Sequence, residues 1–240
     1  MKTIHSVLSA LVVIIAQGTP VFGSITSSWM IISGDDATFT APPSLIQGIV
    51  ATEIGGNAPG SVGAFAGWPQ MNDGIVGTAK GSDSQVLLLD QPVSSFVPAY
   101  AVWVLDTSVN TNGYDIFSIQ SFAGFNADRP WQNIMIEYTL VGGSQMVSLG
   151  EFSCQPEGLS GYNASRLTIE DNFGEAILTG VSAIKITYLN NGFSPSPGSV
   201  NATSYREFSV VGVASVPEPA SVALFGIAAA GVLLRWRLRQ

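Results

Sequence analysis

The middle of the chain is a series of short apolar or alternating runs, separated by clusters of Gly, Asn, Asp, Ser and Pro. In residues 134–141, Glu137 and Thr139 fall on the face opposite the apolar side chains, which is the period of a half-buried strand. Between the two ends no segment of useful length has helical periodicity, and the Gly- and Pro-rich residues 55–67 indicate a long loop. The pattern predicts an all-β fold with a single β-sandwich or jelly roll. The predicted strands are 28–33, 37–40, 85–90, 100–106, 116–122, 134–141, 146–152, 166–169, 181–189 and 205–211.

The N-terminal segment has the three parts of a secretory signal peptide. Lys2 supplies a positive charge, residues 7–16 form a short apolar run, and small or compact residues follow. The run is shorter than the roughly 20 residues that a membrane-spanning helix needs. We therefore predict a signal peptide at 1–23, cleaved after Gly23, with Gly18 as a second candidate position and an uncleaved anchor as the alternative.

The C-terminal segment joins a Pro-Glu-Pro tripeptide at 217–219 to an apolar run at 220–234 and a basic end at 235–240. As a helix this run extends about 22 Å, which is shorter than the hydrocarbon core of about 30 Å. Flanking arginines can snorkel and Trp236 can lie at the interface, so a short transmembrane helix is feasible. The positive-inside rule places the basic end in the cytoplasm and the preceding domain outside. The residues expected to act in sorting are Pro217, Glu218, Pro219, Arg235, Arg237 and Arg239.

This tail resembles the PEP-CTERM sorting signal of Gram-negative bacteria that make exopolysaccharide. The resemblance covers about 25 residues and lies in the combination of tripeptide, apolar run and basic end. It implies that exosortase, a membrane-embedded cysteine transpeptidase-like enzyme, recognises the chain and cleaves it near 217–219. The chain would pass the secretion machinery, be anchored transiently in the inner membrane, and then reach the cell surface or extracellular matrix. An ordinary C-terminal anchor that follows the tripeptide is the alternative.

The charge and the cysteine and histidine content exclude several classes of function. The formal net charge is −8, and residues 24–216 hold five basic and sixteen acidic residues, a net −11. Such a surface repels phosphate backbones, so we expect no nucleic-acid partner. The single cysteine is Cys154, and the single histidine, His5, lies in the predicted signal peptide. A single cysteine cannot form a disulfide within the chain. Once His5 is removed with the signal peptide, the exported part would have no Ser-His-Asp triad and no histidine-ligated metal.

Several local segments of the predicted domain at 24–212 resemble discoidin-type, galactose-binding-like jelly rolls. Residues 71–78 are similar to the early Asn-Asp-Gly loop of that family, and residues 205–212 are similar to its closing strand. Residues 114–119 followed by 125–129 are similar to a strand that leads into a Gly-Trp-x-Asp-x-x-Arg-like loop. Two departures are visible: phenylalanine stands at 125 where tryptophan is common, and one cysteine leaves out the end-to-end disulfide of many discoidin domains.

In related carbohydrate-binding jelly rolls a structural Ca²⁺ often lies between the Asp-Gly loop and the last strand. The resemblance places Asp73 at the loop position and Glu207 at the strand position. Calcium needs six to eight oxygens, so backbone carbonyls of a tight loop would complete such a site. The alternative is an Asx turn in the Asn72-Asp73-Gly74 segment, with Glu207 paired to Arg206 at the surface. No cofactor is otherwise required.

Sugars are bound by aromatic faces flanked by planar hydrogen-bonding groups. Loop residues with this chemistry are candidate ligand-binding residues, although Trp131 packing under a loop is the alternative interpretation. Trp29 and Trp103 lie within strand patterns and are predicted to be core. The candidates are Trp68, Phe125, Asp128, Arg129, Trp131 and Gln132.

These observations predict a non-enzymatic exported protein of the cell surface or extracellular matrix, sorted by a PEP-CTERM and exosortase type of system. Its expected partner is exopolysaccharide or the biofilm matrix. The first alternative is a carbohydrate-binding module with a defined sugar pocket. The second is a secreted glycoside hydrolase, which would need a carboxylate pair. Asp35-Asp36 and Glu170-Asp171 are the adjacent carboxylates, and both are next to predicted turns.

Overall fold

The computed structural model describes residues 24–56, 68–80, 87–92, 97–126, 130–156, 158–189 and 200–216. The predicted signal peptide at 1–23, the sorting residues within 217–240, and the candidate residues Asp128 and Arg129 lie outside the described residues. For Phe125 only the backbone is described. The described residues contain no helix long and apolar enough to cross a membrane, and the predicted helix at 220–234 lies outside them.

The described part of the chain is almost entirely β structure, with one short 3₁₀ helix at Trp68–Asn72. Runs rich in branched and aromatic residues form the strands, because such side chains fit a pleated, half-buried surface. The strands are β1 (Ile25–Ser33), β2 (Glu53–Gly55), β3 (Leu87–Pro92), β4 (Ala99–Val104), β5 (Tyr114–Asn126), β6 (Gln132–Leu140), β7 (Val147–Cys154), β8 (Tyr162–Asp171), β9 (Leu178–Tyr188) and β10 (Val200–Ala214).

Antiparallel pairing connects the described strands into two arms. The first arm has the order β1-β8-β5-β10-β3, and the second has the order β2-β4-β9-β6-β7. The arms are joined where the start of β5 pairs with β9, at Tyr114–Val181 and Ile116–Leu178. A strand that passes from one arm to the other lets a single hydrogen-bonded system fold over on itself.

The core lies between the two arms. The ring of Trp103 on β4 is 5.7 Å from that of Phe208 on β10, and the ring of Tyr188 on β9 is 4.1 Å from that of Tyr205 on β10. These contacts join strands of different arms, so the arms face each other as the layers of a sandwich. Along β4 and β6 alternate residues supply the interior, as the period of a strand requires: Ala99, Ala101 and Trp103 on β4, and Ile134 and Ile136 on β6.

The predicted all-β sandwich is confirmed, with three local differences. Residues 37–40 were expected to form a strand, but they belong to none of the described strands, and the Ala37 carbonyl accepts from the amide of Ala79. The short strand β2 was not predicted, because three residues carry too little pattern. Trp103 is buried as expected, whereas Trp29 was expected in the core and is 53% exposed. Trp29 lies on β1, at the outside of its arm, where no further described strand covers it.

Candidate functional site

The most unusual polar site is where β10 meets the loop that follows the 3₁₀ helix. The ladder between β10 and β5 shifts register between Tyr205 and Glu207, which marks a β-bulge at Arg206. A bulge turns consecutive side chains away from strict alternation. Both Arg206 and Glu207 are consequently buried. The guanidinium of Arg206 donates to the carbonyls of Gly124 (3.1 Å) and Ala79 (3.4 Å).

The loop opposite Glu207 is held in place by Asn72. The side-chain amide of Asn72 donates to the backbone carbonyls of Ile46 and Ile49. Its backbone carbonyl accepts from the amide of Gly48 (2.8 Å). Gly74 adopts a φ of 87°, a left-handed conformation that favours glycine. The backbone at 72–74 is thereby turned toward β10.

Glu207 has one engaged and one unengaged carboxylate oxygen. Its Oε2 accepts from the amide of Gly74 at 3.1 Å, whereas its buried Oε1 has no hydrogen-bond partner. The carboxylate of Asp73 accepts from the amide of Ile75 at 2.7 Å, which is an Asx turn. The structure therefore brings the two predicted calcium ligands to the same loop–strand junction.

Burial is the main reason why the pKa of Glu207 is raised to about 8. The hydrogen bond from Gly74 lowers this pKa, and the nearby charge of Asp73 raises it. Since a buried carboxylate is unstable without a counter-charge, the group holds a proton at neutral pH unless a cation replaces it.

The junction fits a calcium ion in part. The carboxylate of Asp73 and the unengaged oxygen of Glu207 are suitable ligands, but six to eight oxygens are needed. The carbonyls of Ile46 and Ile49 already accept from Asn72. Within the described residues no group of three or more Asp, Glu, His or Cys side chains is placed to hold a metal. Calcium at Asp73 and Glu207 stays a prediction.

The predicted sugar-binding residues occupy different environments. Trp131 is partly buried just before β6, and its indole nitrogen donates to the carbonyl of Pro156 at 2.7 Å. Gln132 is fully buried, and its amide donates to the Ser165 hydroxyl (2.8 Å) and the Ser121 carbonyl (3.2 Å). Gln132 thus links strands inside the fold, whereas Trp131 lies nearer the surface.

Trp68 begins the 3₁₀ helix and is buried. Its ring is 5.6 Å from that of Tyr188 and 6.5 Å from that of Trp103, so most of its surface packs on the core. One edge lines a small apolar pocket that also includes Val50 and Ile54. Trp131 is not among the residues that line this pocket. The structure therefore does not bring these two tryptophans into one described pocket.

Two of the four sequence-adjacent carboxylates, Asp35 and Asp171, have local bonding partners. Asp35 forms a 2.7 Å ion pair with Lys80, and both side chains are more than half exposed. The Asp171 carboxylate accepts from the amides of Phe173 (2.7 Å) and Glu175 (3.4 Å), which closes the turn after β8. These bonds are typical of turn and surface carboxylates.

A polar cluster on the outer face of the second arm was not predicted. The ammonium of Lys185 is 2.7 Å from Glu137 and 4.9 Å from the ring centre of Tyr100, whose hydroxyl donates to Glu53 at 2.7 Å. Strand alternation puts these side chains on outward faces. Their neighbourhood depends on the register of four strands, which are separated by tens of residues in the sequence.

Comparison with protein families identifies a sorting motif in the C-terminal segment. Residues 215–240 match the family model of the PEP-CTERM protein-sorting motif. The chain carries a PEP-CTERM motif. This motif marks an exported protein that an exosortase-like enzyme sorts, with a transient membrane anchor. The predicted resemblance of the tail is confirmed, and the motif begins just after the last described strand.

Three of the solved structures that match this chain do so at low sequence identity. The C-terminal domain of a chitobiase from Bacteroides fragilis is 14% identical, with a TM-score of 0.40 over 70% of this chain and 95% of that one. A chitobiase fragment from Bacteroides thetaiotaomicron is 11% identical, with a TM-score of 0.41 over 75% and 98%. CBM32-1 from a family 31 glycoside hydrolase of Clostridium perfringens is 16% identical, with a TM-score of 0.33 over 67% and 95%. No curated protein matches the chain in sequence.

Proposed function

We propose that this is a non-catalytic protein of the cell surface or extracellular matrix, which reaches its place through PEP-CTERM sorting and associates there with exopolysaccharide. The PEP-CTERM motif at 215–240 carries the proposal, because it commits the chain to export. The predicted signal peptide at 1–23 agrees with the same route. A single sandwich next to the motif is the part that would remain outside.

A non-catalytic role is supported by the distribution of reactive groups. The only histidine is His5, and one carboxylate of each sequence-adjacent pair is engaged: Asp35 in an ion pair and Asp171 in a turn. The Oε2 of the buried Glu207 accepts a hydrogen bond from the backbone amide of Gly74. Such groups stabilise loops and do not provide an acid–base pair open to substrate.

The mass of the native protein tests the export route. In cell-surface and medium fractions we expect a mass that lacks about the first 23 residues and everything after the Pro-Glu-Pro tripeptide. Any excess over the processed sequence would report attached glycan or lipid. Retention of 220–240 in those fractions would mean a permanent anchor and would remove exosortase processing from the proposal.

A defined sugar pocket is the second candidate function, and Trp131 is the residue that favours it. Its indole nitrogen is fixed by Pro156, which holds the ring in one orientation before β6. Orientation of an aromatic face is what stacking on a sugar requires.

Replacement of Trp131 by alanine therefore distinguishes a pocket from diffuse association. If Trp131 binds sugar, Trp131→Ala is expected to reduce glycan-array binding roughly tenfold or more, by loss of about 1.4 kcal/mol or more of stacking. Phe173→Ala, at an exposed turn residue, is the control and should bind like the native chain. Equal binding by all three proteins would assign the association to another surface.

We also propose that Ca²⁺ stabilises the junction of Asp73 and Glu207. The support is the buried, unpartnered Oε1 of Glu207 beside a second carboxylate. Added calcium is expected to raise the melting temperature over that in EDTA by several degrees, because ligand binding to the folded state shifts unfolding. In Glu207→Gln the increase should vanish. A calcium effect of the same size in that variant would place the ion elsewhere.

A further inference from the structure

The outer strand β1 presents an open edge. Among the described residues it pairs only with β8, over nine consecutive positions without a register shift. Its sequence contains no charged residue, proline or glycine. Natural edge strands usually carry charges, prolines or bulges that prevent pairing with another chain. This strand has none of these protections, which makes it a candidate interaction surface.

The ladder with β8 determines which backbone groups point outward. The amide of Gly34 donates to the carbonyl of Tyr162 at 2.9 Å, and this pair continues the β1–β8 register by one step. In an antiparallel ladder every second residue bonds to the partner, and the residues between direct their N–H and C=O groups to the other side. Counting back from Gly34, the even-numbered residues of β1 bond to β8. The residues with outward groups are Ile25, Ser27, Trp29, Ile31 and Ser33.

Two large apolar side chains at the middle of this edge are accessible. Trp29 is 53% exposed and Met30 is 48% exposed, on opposite faces of the strand. Ile25 and Ile31 pack against the core and keep the strand in place. A large aromatic ring at the middle of an unpaired edge is well placed to cover a second ring across a new pair of strands.

We propose that β1 pairs in antiparallel fashion with β1 of a second copy of this chain, about a two-fold axis at Trp29. Trp29 is the midpoint of the strand, so Trp29 then faces its own copy, Ser27 faces Ile31, and Ile25 faces Ser33. With the axis at this residue, each residue whose backbone groups point outward faces such a residue of the other copy. The five facing pairs make two backbone hydrogen bonds each, about ten in total.

β1 is a place where a second copy of this acidic chain can approach without charge repulsion. Residues 24–216 carry a net −11, so two copies repel each other over most of their surface. β1 is an uncharged strip on that surface and can approach its own copy without bringing like charges together. Pairing across a two-fold axis is closed, so it yields a dimer and not a fibre. This inference is independent of the proposed function.

Cysteine cross-linking tests the register. With the axis at Trp29, Ser28 of one copy faces Met30 of the other in a non-hydrogen-bonded pair, with Cα atoms about 4.5 Å apart and within reach of a disulfide. A mixture of full-length Ser28→Cys and Met30→Cys chains in detergent is expected to form disulfide dimers on mild oxidation. Each variant alone should not, because its own cysteines lie about 7–8 Å apart on the diagonal. Cys154 is buried and contributes little background.

Sedimentation of the full chain in detergent tests the edge itself. The native chain is expected to form dimers, and Ser27→Lys should weaken them roughly tenfold or more, because a charge on an edge strand opposes pairing. Phe173→Lys adds the same charge at an exposed turn after β8 and should dimerise like the native chain. A native chain that stays monomeric, or a Ser27→Lys chain that dimerises as before, would overturn the proposal. Equal cross-linking of the mixed and single cysteine variants would overturn the register.

Discussion

Replacing Pro217, Glu218 and Pro219 by alanines is expected to leave the full-length chain in the inner membrane and to remove the processed form from the surface fraction. The prolines hold the junction before the apolar run out of helical conformation, which leaves it open to a processing enzyme. Alanine favours helix, so the variant extends the following run back through the cleavage region. Membrane fractionation combined with intact mass measures the result.

A second Pro-x-Pro segment of the chain provides the matched control for this experiment. Pro195 and Pro197 also flank a single residue, in Ser194-Pro195-Ser196-Pro197. Alanines at Pro195 and Pro197 should leave processing and release unchanged. If the 217–219 variant is released at the native rate, the tripeptide is not the recognition element and the proposed route fails.

Glu207→Gln is expected to change how stability depends on pH when calcium is removed by EDTA. The pKa of Glu207 is raised to about 8 in the folded protein, above the usual value near 4.5. Between these values the folded state holds a proton that the unfolded state has lost, so stability falls as pH rises, by about 1.4 kcal/mol per pH unit from this group. Glutamine cannot ionise. The native chain should therefore lose roughly 3 kcal/mol relative to the variant between pH 5 and pH 7.5.

Urea unfolding at the two pH values measures this difference. Glu170→Gln, which neutralises an exposed carboxylate on β8, is the control and should follow the native chain. If the native chain and Glu207→Gln respond equally to pH, Glu207 is ionised or solvated in the folded state, and the junction is not the buried acid described above. Calcium should restore the native chain at pH 7.5 and leave the variant unchanged.

Strand positions followed from the sequence wherever one strand was long and alternating. In β6, Ile134 and Ile136 are buried and the intervening residues less so, as the pattern of this segment predicts. β2 was missed, because three residues do not establish a period. Residues 37–40 have the composition of a strand, yet they form no described ladder, since a strand also needs a partner along its length.

The candidate site was predicted from a family resemblance, but its chemistry depends on contacts between distant segments. Asp73 and Glu207 were named as a pair, and the structure places them at one junction. Glu207 is buried because of the bulge at Arg206, and no local sequence pattern predicts this bulge. The side chain of Gln132 is of a type that binds sugars, yet it donates hydrogen bonds to Ser121 and Ser165 inside the fold.

By itself the sequence determined the sorting motif, the β class of the domain and its net negative charge, and it predicted a signal peptide. These properties depend on composition and on short contiguous motifs, which act whether or not distant residues meet. Only the tertiary structure decided which strand is an edge and which carboxyl is buried. Trp29 and Trp103 have similar strand surroundings in sequence, but Trp103 lies on β4 between two partners and Trp29 on β1 with one. Burial is a property of what packs on a strand from elsewhere in the chain, and local pattern does not contain it.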